Sequence, residues 1–132
     1  MKRIFVLFLA MFSLMMNYSC SSDMTVPEHN PLLAEWTSDK NIPPFDKIRT
    51  EHYEPAFEVA MKMHNDEIAA IVNSEEEPTF ENTIVAMDNA GITLSQINLI
   101  FGMLSSSDLN AEMQEVQNKI IPRDEEHFNT IM

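Results

Sequence analysis

Between residues 53 and 104 the apolar side chains recur at steps of three and four, and that spacing leaves few folds open. Tyr53, Phe57, Ala60, Met61, His64, Ile68 and Ile71 form one series, and Ile84, Met87, Gly91, Leu94, Ile97, Phe101 and Leu104 form the next. A helix turns ~100° per residue, so each series gathers on a single face. A strand would need apolar and polar residues to alternate, and no segment does so. The expected class is all-α: three to four amphipathic helices preceded by a Pro-rich irregular strap.

The flanking residues set the expected boundaries. Thr50 is placed to cap the first helix, with Glu51 and Glu54 near the positive end of its dipole. Pro55 lacks a backbone donor, so a distorted first turn is expected there. Asn73, Ser74 and the run Glu75-Glu76-Glu77-Pro78 end that helix, and the three acids diverge into solvent. Thr79 caps the second helix and Phe80 anchors it. Gly91 costs about 1 kcal/mol against Ala within a helix, so the helix bends there or splits in two. Ser105-Ser106-Ser107-Asp108 stops it. A third helix is expected from near Asn110 with Met113, Val116 and Ile120 inward, and Ile121-Pro122 then divides it from a fourth over Asp124 to Met132. Ahead of all these, Pro31, Pro43 and Pro44 enforce an extended strap, pinned by Leu32, Leu33, Trp36, Ile42, Phe45 and Ile48.

The N-terminus follows a different logic. Met1-Lys2-Arg3 is basic, and Ile4 to Met16 is an apolar run broken only by Ser13. Crossing a bilayer takes ~20 residues, so this shorter run reads as a secretory signal. The expected organisation is a signal peptide over 1–19, a tether over 20–29 and a helical region over 30–132. Cys20, the single cysteine, follows Ser19 and resembles the lipid-attachment residue of bacterial lipoproteins. Acyl chains there would hold the protein to a membrane at ~0.8 kcal/mol per buried CH₂. The alternative is ordinary cleavage near Ser19, leaving Cys20 as an incidental thiol. Either route exports the protein, to the periplasm or to a lipid-anchored place on a membrane. No later segment is expected to cross a bilayer.

Charge and composition exclude several functions. The chain has 132 residues and a formal charge of −13, which falls to −15 once Lys2 and Arg3 are removed with the signal. Such a surface repels phosphate backbones, so nucleic acid is not an expected partner. One cysteine permits no internal disulfide, and two glycines leave no phosphate-cradling loop. The histidines are His29, His52, His64 and His127, and no two stand four apart as ligands on one helix would. His64 reads as a core or rim histidine, and His127 with Asp124-Glu125-Glu126 as a solvated acidic helix start, weak cation binding being the alternative. The methionines on the stripes read as core filling. No catalytic residue and no metal ligand is expected from residue chemistry alone.

Three stretches in order nevertheless carry a family likeness. They are Asn30-Pro31-Leu32-Leu33 with Trp36, then Pro43-Pro44-Phe45-Asp46-Lys47-Ile48 running to Glu51-His52-Tyr53-Glu54-Pro55-Ala56-Phe57, and Pro78-Thr79-Phe80-Glu81-Asn82-Thr83-Ile84. Together they resemble the N-terminal region of the thimet-oligopeptidase-like zinc metallopeptidases. The likeness is to the bacterial peptidyl-dipeptidase (dipeptidyl carboxypeptidase) and oligopeptidase A branch. That resemblance implies a much longer helical protein whose two lobes enclose a channel for short peptides. It also implies zinc, held by the histidines of H-E-x-x-H and a downstream Glu. H-E-x-x-H does not occur in these 132 residues, so no catalytic position transfers. The expectation is an N-terminal portion of such an enzyme, walling the channel and packing against a catalytic portion that this chain lacks. The alternative is a stand-alone helical lipoprotein acting as a binding module.

Overall fold

Helix α1 (Tyr53–Val72) lies at the centre, with α2 (Ile92–Ser107) and α3 (Ala111–Ile131) both packed against it. The computed structural model describes residues 29–36 and 42–131. Among these there is no strand. Cys20 and the signal and tether expected over 1–29 lie outside the described residues, His29 excepted.

The start of α1 explains how Pro55 is tolerated. A 3₁₀ turn (Thr50–His52) precedes the helix, so Pro55 falls in the first α-helical turn, where its N–H would have no intrahelical acceptor. The distorted entry is therefore present, but Thr50 is not its cap. That position belongs to Arg49, whose backbone N–H donates to His52 Nδ1 at 3.0 Å. From there α1 buries Tyr53, Ala56, Phe57, Ala60 and His64, as the periodicity requires.

The strap is fastened differently from the expectation. Leu32 is buried, and Trp36 and Ile48 pack at the core margin, but Phe45 is 40% exposed. The firmest attachment is polar. The Asn30 side chain accepts from the Leu32 N–H at 3.0 Å and donates to the His52 carbonyl at 2.8 Å. Asn30 thereby closes its own turn and ties it to the entry of α1.

The second helical stretch is divided. Thr79 Oγ1 accepts from the Asn82 N–H at 3.0 Å, while Asn82 Oδ1 accepts from the Thr79 N–H at 2.7 Å. The first turns are wide and π-like (Phe80–Val85), followed by one α-turn (Ala86–Asn89). Ala90 is then extended and Gly91 is left-handed at φ +76°, so the chain changes direction before α2 begins. The expected inward stripe therefore holds only after Gly91. Leu94, Ile97 and Phe101 are buried, whereas Ile84 and Met87 are exposed and Phe80, expected as an anchor, is 65% exposed. By length and composition alone, Phe80–Ser107 could cross a membrane, contrary to the expectation that no later segment could. In the fold that stretch is broken at Ala90 and Gly91, and α2 gives Leu94, Ile97, Ile100 and Phe101 to the core.

Asn110 caps α3, its Oδ1 accepting from the Met113 N–H at 2.8 Å. A fourth helix was expected after Pro122, but α3 runs through it. The reason lies in packing. Met113, Val116, Ile120, His127 and Phe128 continue one inward stripe across the proline, so tertiary contact outweighs one lost backbone bond.

Side-chain pairs fix the helix directions. Phe101 of α2 meets Tyr53 and Phe57 of α1 edge-on, with centroids 4.9 and 5.6 Å apart, while Gly91 lies beside His64. These helices are thus antiparallel. Glu54 pairs with Lys119 at 3.2 Å, Glu58 pairs with Arg123, and His64 meets His127, so α1 and α3 are parallel. The aromatic end and the histidine end are the two poles of the bundle.

Candidate functional site

At the histidine end, the inward stripes of α1 and α3 bring His64 and His127 together. His64 Nδ1 lies 3.0 Å from His127 Nε2, and both residues are buried. The rings meet edge-on at a centroid distance of 5.1 Å, with Phe128 packed beside both. A contact this short between two ring nitrogens is an N–H···N hydrogen bond, so one nitrogen donates and the other accepts.

Three further groups build the surroundings. The Gly91 backbone presses on the His64 ring, so closely that an added Cβ would come within 3.0 Å of its atoms. The Gly91 N–H donates to Glu67 Oε2 at 2.7 Å, fixing the start of α2 to α1. One turn before His127 on α3, Asp124 accepts from Asn98 Nδ2 at 3.0 Å and so joins α3 to α2. Asp124 Oδ1 is buried without a hydrogen-bond partner among the described residues. Burial raises the Asp124 carboxyl above its ordinary range, against the opposing pull of Asn98 and His127. For His127, burial lowers the ring, charge on His64 lowers it further, and Asp124 partly restores it. An open groove of about 450 Å³ runs past His127 between Glu58, Lys62, Arg123 and Glu126.

The other pole is a packing site with one polar anomaly. The Tyr53 hydroxyl is wholly buried and has no hydrogen-bond partner among the described residues. Burial pushes its phenol up to about 12.

Sequence reasoning placed His64 correctly on the apolar face but assigned His127 to solvent. The correction has a simple cause. His127 lies seven positions after Ile120, on the same face, and the helix does not end at Pro122. Among the other histidines, His52 serves the entry of α1 and His29 is exposed at the edge of the strap. Glu75, Glu76 and Glu77 are exposed, as expected. Among the described residues, no three His, Cys, Asp or Glu side chains converge to hold a metal ion. The buried histidine pair supplies two nitrogens facing each other rather than a common third point, so these residues do not fit a zinc centre.

No family model matches the chain. Two curated bacterial proteins do. It is 34% identical over 90 residues to the dipeptidyl carboxypeptidase of Escherichia coli K12, covering 68% of this chain and 13% of that protein. It is also 36% identical over 87 residues to the dipeptidyl carboxypeptidase of Salmonella typhimurium LT2, covering 66% of this chain and 13% of the relative. The matched region belongs to the peptidyl-dipeptidase family. It is a partial member, spanning about an eighth of the length of the relatives it matches. Within that family region, the described residues form an all-α scaffold organised around α1.

Proposed function

We propose that this chain forms part of the N-terminal lobe of an exported, zinc-dependent peptidyl-dipeptidase, walling the channel that admits short peptides. The observation that carries this reading is the 34% identity over 90 residues to a dipeptidyl carboxypeptidase. On this reading, zinc and the water-activating residues reside in a catalytic portion outside the described residues. The histidine pair described above takes no part in hydrolysis.

The surface supports a role as one layer of a larger helical body. Beyond its buried face, α2 carries a second apolar face, with Leu99 65% and Met103 47% exposed. Phe80, Ile84 and Met87 expose another apolar stripe on the preceding turns. A lone domain of this size gains little from keeping so much apolar surface in water, whereas a layer inside a larger lobe would cover it. At the N-terminus, Cys20 is proposed as the lipid-attachment residue after removal of 1–19, which would place the enzyme in the periplasm on a membrane anchor.

A chimera tests this reading. The matched segment of the Escherichia coli dipeptidyl carboxypeptidase is exchanged for that of this chain, and dipeptide release from an N-blocked tripeptide is measured. Zinc-dependent release is expected from the chimera, and none from the 132-residue chain alone. A soluble, folded chimera that binds zinc but releases no dipeptide would overturn it, as would hydrolysis by this chain unaided.

A further inference from the structure

The proposed peptidase reading leaves the histidine pair unexplained, although it joins the two long helices through a buried contact. His64 Nδ1 and His127 Nε2 stand 3.0 Å apart in a buried setting. One proton between them makes a bond. Charging both rings would set two N–H groups head to head and place two positive charges in contact, away from water. The folded pair therefore has room for one shared proton and at most one positive charge. In the unfolded chain both rings are free to charge.

The groups around the pair do not relieve this restriction. On α1, the Glu67 carboxylate is already engaged by the Gly91 N–H. On α3, Asp124 accepts from Asn98, the neutral contribution of α2. Glu58 and Arg123 are paired with each other beside the groove, where Lys62 and Glu126 also stand. The segment before α2 offers only the Gly91 backbone to the ring. Asp124 favours one positive charge on the pair, and none of these groups separates the two nitrogens.

We propose that His64 and His127 form an acid-sensitive latch, which holds α3 and the start of α2 against α1 near neutral pH and loosens when both rings charge. The direction follows from proton counting. A histidine held below its ordinary range contributes stability that is present above that range and declines as the pH falls through it. Asp124, held above its ordinary range, acts in the opposite sense, contributing stability at low pH that declines as the pH rises. Acid loosening between pH 7 and 5 thus belongs to the histidines. The opening begins where Gly91, His127 and Phe128 surround His64, while the Tyr53–Phe57–Phe101 cluster holds the opposite pole.

The test is a ring-resolved NMR titration of the 132-residue chain from pH 8 to 5, with urea unfolding measured in parallel. While folded, the pair should take up no more than one proton across that range, the second following only as the chain unfolds. The unfolding constant should rise by up to about tenfold for each pH unit below about 6.5. His127→Gln, which keeps a hydrogen-bonding group but cannot charge, should flatten that rise. Uptake of two protons by the pair while the chain remains folded, with α3 still packed on α1, would overturn the proposal. So would an unchanged pH slope in His127→Gln. If this variant fails to fold, the ring titration of the unaltered chain alone decides.

Discussion

Gly91 does three things with one residue. Its positive φ turns the chain into α2, its N–H satisfies Glu67, and its missing side chain leaves room for the His64 ring. Gly91→Ala should therefore lower stability by about 1–3 kcal/mol through left-handed strain and collision with the ring. In a His64→Ala background the collision is removed, so the same substitution should cost less. A double-mutant cycle in urea checks both statements. The sequence marked Gly91 as a place where a helix bends or splits. It could not show which, because the choice depends on His64 and Glu67, which are distant in sequence and adjacent only in the fold. Asn30 was missed for a similar reason: its bond to the His52 carbonyl has no periodic trace.

At the level of elements, α3 shows how packing overrides a local breaker. Pro122 removes one donor from the ladder, yet the inward stripe continues from Ile120 to His127 and Phe128. Pro122→Ala should restore the bond to the Asn118 carbonyl and raise stability by about 1–3 kcal/mol, read from thermal unfolding. Far-UV circular dichroism should show nearly unchanged helix content, because the helix is already continuous. Two helices separated at Pro122 would instead gain helix content on substitution. The cap at Thr79, the start of α3 near Asn110 and the stop after Ser107 were legible, since such boundaries are local chemistry written in adjacent residues. The extent of α3 was not, because a stripe on one helix is only decisive once its partner is known. The same limit hid the exposure of Phe80, Ile84 and Met87. Their spacing matched the stripe of α2, but the turn at Ala90 and Gly91 sends them elsewhere.

Across the whole molecule, the all-α class followed from periodicity, and the family followed from three short stretches later supported by two curated relatives. Which helix lies between which was not readable, because every stripe is a compatible partner for every other. The result places α1 between α2 and α3 and leaves the outer face of α2 apolar. Leu99→Gln combined with Met103→Gln should reduce self-association of the isolated chain, measured by sedimentation velocity, with helix content unchanged. Loss of helix on making that double change would mean those side chains serve the fold rather than an outward-facing surface. The bond from the Gly91 amide to Glu67 has one more consequence. Its acceptor belongs to another helix, so fraying of α2 alone cannot expose it. Deuterium uptake at that single amide would act as a clock for the parting of two helices, running independently of the turns on either side.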